Sequence, residues 1–245
     1  MPVPKIIRRV STVVAAAALA WSAHANASIT LSGTRLVFDG KHKETSLAVR
    51  NGNANILVQA WIESNTPNDQ GDLPLAVTPA LAKMRPDGQQ LLRVLYAGGK
   101  NALPQDKESV FWLNVQEIPE GTNADGSLQV AVLQRIKVFF RPVGLAGTAE
   151  NAPGALTWSI ARDGAKPMLQ ITNPTAYHVS LSHITVGNGQ PLPSTMVAPG
   201  DTVRLPFDGA GPKLAFSSIN DFGGQDKFEA RLDGAGPVTA RPVTQ

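Results

Sequence analysis

Apolar side chains in this chain recur at every second position rather than every third or fourth, and this periodicity restricts the fold more than any other feature. Short alternating runs fall at residues 29–31, 35–38, 45–50, 56–63, 90–96, 110–116 and 128–140. A second series follows at 156–162, 166–173, 178–186, 201–206, 214–220 and 227–232. Gly, Pro, Asn and Asp separate the runs, while Thr, Val, Trp and Phe populate them, the composition of strands and turns. No run keeps a 3.6-residue period over three turns. The pattern predicts an all-β chain of two antiparallel sandwiches, each of about seven strands. The small, flexible stretch at 143–153, VGLAGTAENAP, is the expected boundary and holds little that could fill a core. The tail GAGPVTARPVTQ is expected to fray.

The N-terminus reads as an export signal. Lys5, Arg8 and Arg9 precede a largely apolar stretch from Val10 to Ala20, and Ala25-Asn26-Ala27 is a small-x-small cleavage site. Cleavage after Ala27 leaves 218 of the 245 residues, enough for two domains of about 100 residues each. The leader takes three of the 22 cations and none of the 19 acids, so the mature chain carries 19 of each. Nucleic-acid binding thereby loses its electrostatic basis. No later apolar run approaches the roughly 20 residues of a membrane span, so the mature chain is expected to have no integral membrane segment. With no cysteine, the folded chain must rely on its hydrophobic cores, and thiolate metal sites and Cys nucleophiles are excluded. The bacterial periplasm suits such a protein.

Residues 128–142, LQVAVLQRIKVFFRP, combine features that few strands share. Leu128, Val130 and Val132 give one apolar face. Arg135 and Lys137 are basic, and Phe139-Phe140 leads into Arg141-Pro142. A sheet interior tolerates a cation only when it is paired, so this strand is expected to serve more than its own core. Enzyme signatures are missing: no G-x-S-x-G elbow, P-loop or Rossmann fingerprint occurs. His42, His178 and His183 lack zinc spacing and read as turn or surface residues. The chain is thus expected to be no enzyme and to need no cofactor or metal.

Four segments together resemble the periplasmic pilus-assembly chaperones of the PapD type. They are Ser32–Phe38 (SGTRLVF), Leu103–Pro119 (LPQDKESVFWLNVQEIP), Ile136–Pro142 (IKVFFRP) and Ile219–Gly224 (INDFGG). Their order and spacing also match, over essentially the whole mature chain. The resemblance implies two immunoglobulin-like domains, 28–145 and 150–245, set at an angle with a cleft between them. It implies that Arg35 and Lys137 hold the C-terminal carboxylate of a pilus subunit, where two cations on one carboxylate form charge-assisted bonds. Taken singly, each would read as a solvated strand cation.

By the same resemblance Leu128, Val130 and Val132 fill a hydrophobic groove on the subunit by β-strand addition, and the subunit then passes to an outer-membrane usher. Lys137 has the opposite parity from Val132, so a bulge or strong twist is expected between them. Glu108, Arg141 and Asp221 match an inter-domain ion-pair network. The link EGTNADGS after Pro119 is short and cysteine-free, as in the short-loop subclass, and Lys107 replaces the Arg usual in the D-R-E-S run. An exposed apolar edge strand invites self-association when no subunit is bound. Two other classes fit an exported β-sandwich. An immunoglobulin-like adhesin or carbohydrate-binding module would bind sugar through exposed Trp or Tyr; a secreted hydrolase would turn over esters or peptides. Trp61, Trp112 and Trp158 lie in strand-like runs and read as core or interface residues.

Overall fold

The computed structural model describes residues 29–66, 71–99, 102–120, 130–164, 166–234 and 236–243. In chain order the first half contains β1 (Ile29–Leu31), β2 (Arg35–Asp39), β3 (Glu44–Asn51), β4 (Ile56–Ser64), β5 (Leu75–Thr78), β6 (Leu81–Met84), β7 (Gln89–Tyr96), β8 (Ser109–Pro119) and β9 (Leu133–Arg141). One sheet has the order β1-β3-β7-β5 and the facing one β2-β9-β8-β4-β6. The chain changes sheets between β5 and β6 at Thr78-Pro79, an X-Pro bond in the cis form. Both short strands had escaped the alternation pattern, since four residues around a turn hold too few repeats of a two-residue period.

Side-chain alternation builds the core between these sheets. On β9, Ile136, Val138 and Phe140 point inward, while Leu133, Arg135, Lys137 and Arg141 take the other face. Phe140 meets Tyr96 at a ring-centroid distance of 4.4 Å and Phe38 at 5.4 Å. The pairing of β2 with β9 is parallel, whereas the sequence pattern had suggested antiparallel sheets only. β2 forms the edge of its sheet, with β9 as its neighbour.

The second half begins with a short helix, α1 (Ala152–Ala155). Its strands are β10 (Thr157–Asp163), β11 (Lys166–Thr172), β12 (Val179–Val186), β13 (Thr195–Val197), β14 (Thr202–Pro206), β15 (Lys213–Ile219), β16 (Gln225–Arg231), β17 (Val238–Thr239) and β18 (Arg241–Pro242). The sheets run β14-β11-β10-β17 and β13-β12-β15-β16-β18. Trp158, fully buried, stacks near Phe216 at 4.5 Å, and Phe216 near Phe228 at 5.3 Å. A register shift interrupts β12 between Ser182 and Thr185, where His183 has φ of 52°.

Two expectations fail here. The boundary stretch does contribute to a core: Ala152 and Pro153 are buried, and Leu145 and Ala149 lie against the second core, while most of the residues between are exposed. Small residues can fill shallow gaps that composition does not reveal. The tail does not fray over 238–242, because β17 pairs with β10 and β18 with β16. With these additions each sandwich has nine strands among the described residues instead of about seven. Among the described residues no helix is long and apolar enough to cross a membrane.

Candidate functional site

Strand β9 supplies most of the chemistry between the two sandwiches. Its register with β8 is unbroken from Leu133 opposite Gln116 to Phe140 opposite Ser109. Strict alternation then puts Arg135, Lys137, Phe139 and Arg141 on the outward face. Phe139 is nevertheless only 2% exposed. The second domain covers it with the His178 ring at 5.9 Å, and Arg35 on neighbouring β2 holds its guanidinium 5.6 Å from the ring. A buried aromatic on the solvent parity of a strand marks where the domains meet.

Arg35 and Lys137 are register partners on the parallel β2 and β9, so both project into the same space. Arg35 Nη1 donates to the Ile219 carbonyl at 2.8 Å, and Lys137 Nζ to Ser180 Oγ at 3.5 Å. Among the described residues neither has a carboxylate within ion-pair distance, and Arg35 Nε is buried without a partner. Burial lowers the pKa of Arg35, an effect partly opposed by the charges of Asp221 and Glu108. Burial also lowers that of Lys137, with repulsion from Arg35 adding to it. Two half-buried cations side by side, neither with a carboxylate at ion-pair distance among the described residues, have the chemistry to receive an anion.

Neighbouring Arg135 differs, because it is compensated. It pairs with Glu63 at 2.9 Å and stacks at 4.4 Å over Trp112. Trp112 faces Lys137 directly across the ladder, with Nζ 5.6 Å from its ring. The indole of Trp61 donates to Glu63 at 2.8 Å. Trp61 and Trp112 are only partly buried and lie on the outward face of the sheet, while Trp158 sits in the second core.

Below the two free cations lies a fully ligated cluster. Glu108 is buried, and its Oε1 accepts from Arg141 Nε at 3.0 Å and Nη2 at 2.8 Å. Its Oε2 accepts from the backbone N–H of His178 at 2.8 Å and lies 3.1 Å from that residue's Nδ1. Arg141 also forks onto Asp221, with bonds of 2.7 and 3.1 Å. Burial opposes the charge on Arg141, but the bonds and charges of Asp221 and Glu108 outweigh it and raise its pKa. The Glu108 N–H completes the clamp by donating to the Ala176 carbonyl at 2.9 Å. Three charged residues on three separate elements thus join the domains.

One histidine corrects the sequence reading. His178 does lie in the connection before β12, but its side chain is buried against Glu108 rather than at the surface, because this connection is pressed against the first domain. Its local sequence carries no sign of this. Leu133 lies outside the alternating series Leu128, Val130 and Val132. It is 51% exposed and shares the parity of Lys137. Leu128 lies outside the described residues. Val130 and Val132 are exposed and precede β9, and the Val132 carbonyl accepts from the Glu117 N–H at 2.9 Å. No bulge separates Leu133 from Lys137, so the expected register break does not lie within β9.

A cavity of about 680 Å³ opens between the domains; Arg35, Phe139, Ile219, Phe222 and Phe228 line it together with the carboxylates Glu108, Glu150, Asp221 and Asp226. Among the described residues no group of three or more metal-ligating side chains occurs.

Two immunoglobulin-like sandwiches clamped across a cationic cleft define the class of the pilus-assembly chaperones. Residues 28–146 match the N-terminal domain of the PapD pili and flagellar-assembly chaperones, and 151–230 match the C-terminal domain of the PapD pili assembly chaperones. The chain belongs to this family. It is 35% identical to the probable fimbrial chaperone YadV of Escherichia coli K12 over 87% of this chain and 94% of that protein. It is 37% identical to the chaperone protein FimB/FhaD of Bordetella pertussis, over 85% and 89% respectively. A crystal structure of YadV superposes with a TM-score of 0.70 at 35% identity, covering 84% of this chain and all of that one. The SafB chaperone, solved with the SafA pilin of Salmonella enterica, gives a TM-score of 0.72 at 28% identity, covering 84% and 96%.

Proposed function

We propose that this chain is exported to the periplasm, loses residues 1–27, and acts there as a non-enzymatic, ATP-independent chaperone of fimbrial subunits. Residues 28–145 and 150–245 form its N- and C-terminal domains. It binds, stabilises and caps a subunit by strand donation and hands it to an outer-membrane usher. Arg35 and Lys137 hold the subunit's C-terminal carboxylate, while Leu128, Val130 and Val132 enter its hydrophobic groove. Glu108, Arg141 and Asp221 set the angle of the domains without touching the subunit.

The observation that carries this reading is the pair of half-buried cations in register on β2 and β9, lacking a carboxylate among the described residues. Burial strengthens each bond they offer, since water screens the charges less. The exposed Val130 and Val132 support strand donation: each such side chain, once fully buried, contributes roughly 1.5–3 kcal/mol. A relative solved with a pilin supports the choice of partner. The test is co-expression of the subunit with the unmodified chain or with the R35A and K137A variants. Loss of periplasmic subunit and of co-purification is expected for both variants; unchanged levels would refute the carboxylate assignment.

A further inference from the structure

Arg135 and Lys137 share one face of β9, two residues and so about 6.8 Å apart. The fold treats these two cations differently. Lys137 has Ser180 Oγ at 3.5 Å and no carboxylate within ion-pair distance among the described residues. Arg135 leans across Trp112, its guanidinium 4.4 Å from the ring, and Nη2 reaches Glu63 Oε2 at 2.9 Å. Trp61 Nε1 donates to the other oxygen, Glu63 Oε1, at 2.8 Å, and Trp112 Nε1 donates to Asn65 Oδ1 at 3.0 Å. Glu63 stands opposite Trp112 in register, and Trp112 opposite Lys137. Arg135 is thereby turned toward β8 and β4, away from the other flank of β9. That flank is open: β2 pairs with β9 only from Lys137 onward, so residues 133–136 have no strand on that side among the described residues. The side chains of Arg135 and Glu63 are 46% and 44% exposed, and an ion pair so exposed adds little to stability.

Its use lies in register. A strand added along the open flank presents alternate side chains to alternate faces. A slip of one residue turns those faces over, whereas a slip of two restores them. Alternation therefore does not separate registers two residues apart, and the charge at the end of the strand must choose between them. A free Arg135 would offer a terminal carboxylate a second landing place, one side-chain repeat along β9 from Lys137. We propose that Glu63 is a register-setting residue: by neutralising Arg135 and turning it from the open flank, it leaves Arg35 and Lys137 as the landing place for the carboxylate of the added strand. Trp61 and Trp112 prop the pair from either side. This inference rests on the carboxylate reading above and gives it the selectivity between registers that the alternating side chains lack.

The test uses the purified mature chain and synthetic peptides of alternating Val and Thr, as the free acid and as the C-terminal amide. Because the chain has no cysteine, L133C supplies a single thiol beside the open flank. Each trapping peptide carries one cysteine, four or two residues before its last. A carboxylate at Lys137 brings the first of these beside position 133, and a carboxylate at Arg135 brings the second. With Glu63 intact, disulfide trapping is expected for the first peptide alone; E63Q should add the second, and E63Q/R135M should lose it again. Without L133C, fluorescence anisotropy should show E63Q/K137A binding the acid about two- to fivefold more tightly than K137A, the worth of one exposed charge pair. A single trapped register in E63Q, or a K137A affinity that E63Q does not improve, overturns the role of Glu63 and leaves the carboxylate site standing. A second register that survives in E63Q/R135M also overturns it, since Arg135 then has no part in the slip. Equal binding of acid and amide by the unmodified chain overturns the carboxylate reading itself.

Discussion

Replacing Lys137 with Met should make the free protein more stable while removing its capacity to hold a carboxylate. Lys137 and Arg35 are register partners on adjacent strands, which lie about 4.8 Å apart. Like charges about 6 Å apart repel by roughly 3 kcal/mol at an effective dielectric near 20. Water reaching a half-exposed pair reduces that to about 1–2 kcal/mol. Burial of the ammonium adds a further cost, and burial is the first cause of its lowered pKa. Against this stand the contact with the Trp112 ring, of about 0.5–1 kcal/mol, and one long bond to Ser180.

Met retains the apolar stem against Trp112 and discards the charge. A net gain of about 1 kcal/mol follows, or roughly 2–4 °C in thermal midpoint for a chain of this size. The pH dependence carries a sign of its own. Because the folded-state pKa lies below the unfolded value, the unfolded chain binds more protons in the window between them, just below about 10.5. The stability of the unmodified protein therefore rises with pH across that window as the ammonium loses its charge, and K137M lacks the rise. Thermal unfolding followed by circular dichroism at neutral and at alkaline pH measures both effects. A lower midpoint for K137M, or parallel pH profiles, would refute the idea that this cation is held at a cost.

The two carboxylates on Arg141 should differ sharply in their sensitivity to its loss. R141A leaves the buried Glu108 facing only His178 and should cost about 3–5 kcal/mol in urea unfolding, whereas D221A removes a partner 36% exposed and should cost about 1 kcal/mol or less. Equal costs would show that Glu108 is not the buried centre of the network. The turn at Gly223 can be probed by steric relief: G223A should destabilise by about 2–4 kcal/mol, from its positive φ and the close approach to Thr34. The double variant G223A/T34A should recover the steric part only, and full recovery or none would contradict the two-cause account.

Strand positions were read well wherever a run was long enough to show its period. On β9, Ile136, Val138 and Phe140 follow the alternation that the residues predict, and the outward cations follow with them. The short strands around Thr78-Pro79 and those in the C-terminal tail carry too few residues for a period to register. The 143–153 stretch misled through composition: alanine and proline look like linker, yet they fill shallow gaps on the second core. Through their motifs Arg35 and Lys137 are proposed together, and the structure brings them into register, whereas no sequence pattern singles out Leu133 or the contact of His178 with Glu108. Leu133 lies on the face opposite to Ile136, Val138 and Phe140. His178 has no local signature because its partner Glu108 lies in the other domain.

The sequence by itself determined which side chains of each strand turn inward, because alternation is a property of the extended backbone and needs no neighbour. It also determined that no disulfide could help hold the fold. Tertiary structure alone decided that β2 lies parallel to β9, which places Arg35 beside Lys137 with no carboxylate at ion-pair distance among the described residues. It alone buried Phe139 on the solvent parity of its strand and brought His178 under Glu108. These are pairings between segments remote in the chain, set by how whole sheets and whole domains pack. No local pattern of residues encodes them.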